Sequence, residues 1–376
     1  MVNKMFKYKA IIYNPYPLKG GGGEIQKNLF DVINKSLINF EVNVFSTANN
    51  LTGLKLYISR FLSVFKNKRI ITTSDLLIIQ SIFDPGSILI GYFARKKNIK
   101  YIVIPRGDFI PKKNNIYLTK SYFLKRLIWN FFGKKLVKHA TSLIVTSQFE
   151  KNRLIDVSAR KDHIEIIPDP TFEKIFEDVS ETQVMDSKFY DFVKYPYALW
   201  LGRFSKEKGL ELLIDAWLDV YKATKDSKLL LIGSITHQDE FNKIFKKINN
   251  LKLADSIYIF NWVSGIEKNF LLSNARCLLL PSFYESFGIV VSESLSFRTP
   301  VIVSDGTPWQ GISNLAGSCI ARDPRIWTEA ISYYIKSKEK IKVPEDIIFK
   351  TLNPFSKSEI SILWGRLFSK YLYNIL

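Results

Sequence analysis

The chain is poor in the residues that staple or metallate proteins. Among 376 residues there are two cysteines, Cys277 and Cys319, and three histidines, His139, His163 and His237. Both cysteines sit inside apolar stretches and no Cys/His pair has metal-ligand spacing. A disulfide framework and a metal site are therefore not expected, and a reducing compartment is. No apolar run approaches the roughly 18–20 residues a membrane-spanning helix needs. The start, MVNKMFKYKAIIYNPYP, has neither an apolar core nor a small-residue cleavage site, so export is not expected. There is no short-period repeat and no low-complexity tract. Acid is also scarce: 35 Asp and Glu stand against 54 Lys and Arg, for a net charge of +19.

The positive charge is unevenly spread. From Arg95 to Lys138 there are thirteen Lys and Arg against one acid, Asp108, a local charge of +12. Aromatics interleave with them, among them Tyr101, Phe109, Tyr122, Trp129 and Phe132. Such a segment suits an anionic membrane surface or a nucleic acid, and a lysine-rich solvated face would look the same.

What the sequence has in quantity is short β-branched runs between helix-like stretches. KAIIYNPYP, VNVFST, LLIIQSIF, KYIVIPRG, SLIVTSQ and HIEIIPDP read as buried parallel strands. After an acidic, aperiodic stretch at 171–196, a second set follows: YALWLGRF, KLLLIGS, SIYIFNWV, CLLLPS, PVIVSD and SCIAR. The alternation predicts two doubly wound α/β domains, 1–170 and 197–354, with 171–196 as linker. Residues 355–376 read as an amphipathic helix packing back toward the N-terminal domain.

Three stretches invite chemistry. In YNPYPLKGGGGEIQ, Gly20 to Gly23 lie between the first strand and the first helix. The loop lacks the G-K-[ST] ending of a phosphate-binding P-loop and the G-x-G-x-x-G register of a dinucleotide site. It is either a mobile turn or a contact in which the amides of Gly21, Gly22 and Gly23 approach a ligand. In LGRFSKEKGLELLIDAW, a strand runs out at Gly202, and Arg203 and Lys208 flank a strand-to-helix turn, where a fork and a point charge suit a phosphate pair. A basic surface turn has the same composition. In LLLPSFYESFGIVVSESL, Glu285 precedes a helix expected to start near Ile289, and Glu293 lies inside it. The amides of Gly288, Ile289 and Val290 would be the unpaired donors of that helix start, a natural diphosphate seat.

The order of these pieces carries more than any one of them. G-R-x4-K-G, then a strand, then P-S-x3-E-S-F-G with a glutamate in the next helix, then TPVIVSD, resembles the retaining glycosyltransferases of family 4, which have the GT-B fold: two Rossmann-like α/β/α domains facing across a cleft. VIPRGDFIP and VIVSDGTPWQGI look like members that build bacterial surface polysaccharides. The resemblance implies a metal-independent hexosyltransferase without cofactor. Its substrates would be a nucleotide-diphosphate sugar, of UDP, GDP or another type, and a glycan or lipid-diphosphate-linked acceptor. A cytoplasmic protein and no nucleic-acid partner are expected, with the basic, aromatic segment a candidate for docking on the inner membrane face. Gly202, Arg203 and Lys208 match the donor-diphosphate grip and Glu285 the carboxylate on the donor sugar. Phe287 and Gly288 match backbone contacts to that sugar, Ile289 and Val290 contacts to the diphosphate, and Glu293 the ribose carboxylate. NWVSG, Asn261 to Gly265, stands where the family contacts the base. Two places depart from the pattern. Where many members carry a histidine before a glycine, this chain reads Pro105-Arg106-Gly107, and the usual Pro-Asn-Gly reads Pro168-Asp169-Pro170. Arginine cannot serve as a base; Arg106 is expected to stabilise the leaving phosphate or position the acceptor. The alternatives are a sugar-nucleotide epimerase of the same fold and a basic nucleic-acid-binding protein.

Overall fold

The computed structural model describes residues 8–372 apart from 17–19, 38, 48–50, 52, 108–125, 157–160, 172–174, 177–178, 180–183, 186, 236 and 313. The chain divides into two compact units, Met1–Pro170 with Lys357–Leu376, and Thr171–Ser356.

The first unit runs β1 (Tyr8–Asn14), α1 (Gly20–Ser36), β2 (Phe40–Ser46), α2 (Gly53–Lys66), α3 (Lys68–Thr72), β3 (Leu76–Gln80), α4 (Pro85–Lys97) and β4 (Lys100–Ile104). A π-helical turn, Trp129–Gly133, then leads into α5 (Lys134–Lys138), β5 (Ser142–Val145), α6 (Gln148–Asp156) and β6 (Ile164–Ile166). All strand pairings are parallel, in the order β2-β1-β3-β4-β5-β6. Every residue of β3 is buried, as a strand covered by helices on both faces must be. The four glycines, expected as a loop, are instead the first turn of α1. Glycine takes helical dihedrals like any residue, and a first turn has few hydrogen bonds for its flexibility to weaken.

The second unit contains β7 (Tyr197–Arg203), α7 (Leu210–Thr224), β8 (Lys228–Ser234), α8 (Gln238–Asn250), β9 (Ile257–Phe260), α9 (Gly265–Asn274) and β10 (Cys277–Leu280). It continues through α10 (Ile289–Ser296), β11 (Val301–Ser304), β12 (Gly317–Ile320), α11 (Pro324–Lys336) and α12 (Glu345–Leu352). Its sheet is also parallel, in the order β12-β11-β10-β7-β8-β9. The described residues of 171–196 pack on this unit. Val184 and Phe189 are buried in its core, Phe176 stacks on Phe297 at 5.0 Å between ring centroids, and Phe192 meets Tyr258 edge-on at 4.9 Å.

The last helix, α13 (Lys357–Leu372), belongs to the first unit. Ile360, Trp364, Leu367 and Phe368 join Leu29 and Ile33 of α1 against Ile12, Ile78 and Ile102 of the sheet. Its polar edge is tied as well: Lys370 pairs with Glu165 at 2.6 Å, and Lys100 Nζ donates to the Tyr371 carbonyl at 2.8 Å. Trp364 is 1% exposed. Trp364→Ala should lower the unfolding free energy of this unit by about 3–5 kcal/mol, read from urea denaturation.

Candidate active site

In the second sheet β7 is flanked by β8 on one side and β10 on the other, so the crossovers that follow β7 and β10 run in opposite directions. At such a reversal the carboxyl ends of two strands open a crevice that no crossover covers. The loops after β7 and β10 meet at this reversal. Phe283 N donates to the Glu207 carbonyl at 2.8 Å, joining them through the backbone. Gly209, with φ +68, caps the start of α7, and a Cβ there would collide with the Pro281 carbonyl. Only glycine allows both the left-handed conformation and the approach.

Across this seam Lys208 Nζ is ion-paired with Glu285 Oε1, the two side chains only 13% and 12% exposed. Ser282 Oγ donates to the same oxygen at 2.9 Å, and Glu285 N to the Gly306 carbonyl at 3.3 Å. Arg203, the last residue of β7, is different: its side chain is 61% exposed and its nearest carboxylate, Glu207, is 3.8 Å away. Burial works to raise the pKa of Glu207, but hydrogen bonds from Ser205 and its own amide, with Arg203 and Lys208 nearby, outweigh it and hold the carboxyl below its ordinary value.

The start of α10 stands beside this seam. Gly288, with φ +77, caps the helix without a side-chain bond, leaving Ile289 and Val290 as first-turn amides. The turn is held from behind: Trp309 Nε1 donates to the Phe287 carbonyl at 2.6 Å, and the Phe287, Trp309 and Phe355 rings pack within 5.4 Å of one another. Glu293 points into the protein, 5% exposed, with Oε1 2.7 Å from Lys268 Nζ of α9. No local pattern announces Lys268, because the pair joins two helices. Asn261 and Trp262 follow β9 and are exposed, with Trp262 at 40%.

The first unit gathers its own polar groups at the carboxyl ends of β1, β3 and β4. Tyr13 Oη donates to Asp84 Oδ2 at 2.7 Å, and Arg60 Nη1 reaches Asp84 Oδ1 at 2.8 Å. Burial, then the Asp84 charge, drives the Tyr13 pKa well up, so its phenol stays protonated. Arg106 sits just past β4 at φ +56, followed by Gly107 at φ +75. Its Nη1 contacts both oxygens of Asp169, at 2.5 and 2.6 Å, and its Nε donates to Gln80 Oε1 at 3.0 Å. The two side chains are 10% and 9% exposed. Arg106 Nη2 and Gln80 Nε2 are buried donors without a hydrogen-bond partner among the described residues. Gly21, Gly22 and Gly23 are the helix start above β1. Asp108, Phe109 and Tyr122 of the basic segment lie outside the described residues. Cys277 and Cys319 are free, and burial raises both thiols, so neither is a ready nucleophile. Among the described residues no helix is long and apolar enough to cross a membrane, and no group of three His, Cys, Asp or Glu is placed to hold a metal ion.

Removing one member of a buried pair strands the other charge. Lys268→Met should therefore cost about 3–5 kcal/mol in chemical denaturation, and Lys268→Met combined with Glu293→Gln should recover most of it. Asp169→Asn should destabilise the first unit in the same way and by a similar amount, with Asp169→Asn/Arg106→Gln closer to wild type.

The geometry can be set beside known proteins. The family model described as "Glycosyl transferases group 1" matches residues 185–342. An uncharacterized 41.2 kDa protein in the cps region of Klebsiella pneumoniae is 27% identical over 272 residues, covering 69% of this chain and 67% of that protein. Sucrose-phosphate synthase from Thermosynechococcus elongatus superposes with a TM-score of 0.75 at 18% identity, over 98% of this chain and 100% of that one. Anabaena HepE, solved in complex with UDP-glucose, gives 0.73 at 14% identity over 96% and 100%. With its two parallel six-stranded sheets the chain has the GT-B fold, and residues 185–342 of it are similar to the group 1 glycosyl transferases.

Proposed function

We propose that the protein is a retaining glycosyltransferase of family 4. In this reading it moves a sugar from a nucleotide-diphosphate sugar to a lipid-linked glycan acceptor in the building of a bacterial surface polysaccharide. The observation that carries the reading is the meeting of Lys208 and Glu285 at the sheet reversal, beside Arg203 and the open start of α10. The UDP-glucose held by the Anabaena protein and the cps location of the Klebsiella relative support the donor class and the pathway.

Each group then has a task. As the C1–O bond of the donor lengthens toward an oxocarbenium-like state, negative charge builds on the departing diphosphate. Arg203, Lys208 and the amides of Ile289 and Val290 supply the positive field it needs. Glu285, steadied by Ser282, accepts hydroxyls of the donor sugar, and Glu293, held by Lys268, accepts those of the ribose. Exposed Trp262 offers its face to the base.

Retention follows from a front-face path. The bond between C1 and the phosphate oxygen breaks with its electron pair going to the phosphate. The acceptor oxygen bonds to C1 from the same side, and its proton passes to the phosphate oxygen. No enzymic base is required, which agrees with a guanidinium at position 106. Asp169 already neutralises Arg106, so the unpartnered Nη2 and Gln80 Nε2 suit a neutral acceptor hydroxyl better than a second anion.

Arg203→Ala and Lys208→Ala should each lower turnover by about 10²–10³-fold while circular dichroism stays native. The donor is found by a thermal-shift screen of sugar nucleotides, and the product by mass analysis of lipid-linked glycans. Near-wild-type turnover in both variants overturns the assignment. An epimerised sugar nucleotide formed from donor alone would move it to the epimerase reading.

A further inference from the structure

The loop after β10, residues 281–288, carries Glu285 and ends on Gly288, and the loop after β11 holds it at three places. Ser304 Oγ donates to the Ser282 carbonyl, Glu285 N donates to the Gly306 carbonyl at 3.3 Å, and Trp309 Nε1 donates to the Phe287 carbonyl at 2.6 Å. The loops lie so close at Gly306 that a Cβ there would strike the Phe283 carbonyl. Two of the three bonds use the main chain or a small hydroxyl. The third comes from a tryptophan that is only 5% exposed. An indole so covered does not meet a ligand itself; it acts through what the turn presents.

Peptide geometry sets what the turn presents. Every described peptide bond is trans, and in a trans peptide the carbonyl and the following N–H point opposite ways. With the Phe287 carbonyl turned onto the indole, the Gly288 amide is turned away from it, and among the described residues that amide donates to no protein group. Local sequence does not choose this orientation. Gly288 sits at φ +77, and a peptide that precedes a glycine turns over at little steric cost. Ring packing alone does not choose it either. Phe287 and Phe355 flank the indole at 5.3 and 5.4 Å between ring centroids, but a cavity of about 410 Å³, lined among others by Pro308, Ile312 and Ile347, opens against the same ring. The hydrogen bond separates the two orientations. Turned over, the peptide would leave the indole N–H buried without its acceptor and would aim a carbonyl where the amide now points.

We infer that Trp309 is a positioning residue whose indole N–H aims the Gly288 amide into the open start of α10. The amide then stands as one more donor beside those of Ile289 and Val290. For its ligand the inference rests on the donor reading above, in which Gly288 meets the donor sugar and the next two amides meet the diphosphate. Loss of the indole N–H therefore weakens the hold on the sugar and spares the hold on the nucleotide.

Trp309→Phe keeps a ring in place and removes the N–H. Trp327 provides the control. It is fully buried in the other core of the same unit, and its Nε1 donates to the Ala321 carbonyl at 3.1 Å. Each Phe variant loses one such bond, so both should melt slightly below wild type. Calorimetric titration then compares a sugar nucleotide with its bare diphosphate, UDP-glucose with UDP and GDP-mannose with GDP. Trp309→Phe should lose about tenfold in affinity for the sugar nucleotide and stay within about twofold of wild type for the diphosphate, and Trp327→Phe should change neither. Without ligand, the Glu285 amide, bonded to Gly306, and the Val291 amide, bonded to Gly288, should exchange hydrogen about tenfold faster in Trp309→Phe alone. Equal losses for sugar nucleotide and diphosphate, or wild-type exchange at both amides, overturn the inference. If wild type binds neither pair of ligands, the donor reading fails, and the exchange rates alone decide whether Trp309 holds the turn.

Discussion

The reversal of strand order between β7 and β10 is the constraint on which the second unit's chemistry rests. A parallel sheet must send each crossover to one face, and where the direction changes the loop ends part. The chain closes that seam with polar rather than apolar contacts: the Phe283–Glu207 backbone bond and the Lys208–Glu285 ion pair. An apolar seal would have filled the crevice. A paired lysine and glutamate keep it polar. Gly209 shows how little room the geometry leaves, since the Pro281 carbonyl occupies the space a side chain would take.

The charged groups differ in how firmly they are held, and the difference sorts them. Glu293 and Lys268 are buried together and fix one helix against another. Lys208 and Glu285 are partly exposed and bridge two loops. Arg203 is mostly in water, with a carboxylate only at the edge of reach. Desolvating a charge is costly and mutual attraction offsets the cost only in good geometry. The gradient from Glu293 to Arg203 therefore runs from a buried, fully paired charge to one that is mostly in water.

Much of this fold could be read from sequence, and for a physical reason. Buried parallel strands are continuous apolar runs, and the central strands such as LLIIQ and YALWL fall on them, whereas the edge strands FEVNVFS and GSCI are more polar and less buried. The start of α10 was marked by Gly288, which a left-handed cap demands. What could not be read was whatever depends on distant residues meeting. Lys208 and Glu285 are 77 residues apart, and Arg106 and Asp169 are 63 apart, so neither pair leaves a spacing signature. The stretch 171–196 looked like a spacer because its aromatic anchors, such as Phe176 and Phe189, fall at no regular interval. The glycines misled because a run of four reads as a loop, whereas the first turn of a helix tolerates them as well.

The two departures from the glycosyltransferase pattern, an arginine in place of histidine and Asp169 in place of asparagine, looked independent in sequence. In the structure they are one feature. Arg106 lies at the carboxyl end of β4 with little access to water, and a guanidinium cannot shed its charge there as an imidazole can. It needs a carboxylate, and Asp169, just past β6, supplies both oxygens to Nη1. An asparagine at 169 would leave the charge uncompensated, and an aspartate facing a neutral histidine would be the uncompensated charge itself. The left-handed backbone at Arg106 and Gly107 is consistent with a side chain aimed by its partners, since Gln80 and Asp169 hold the guanidinium from two directions. The arginine and aspartate thus constitute a neutral, donor-bearing unit, which explains how a site that elsewhere carries an ionisable ring accommodates a permanent cation without acquiring its charge.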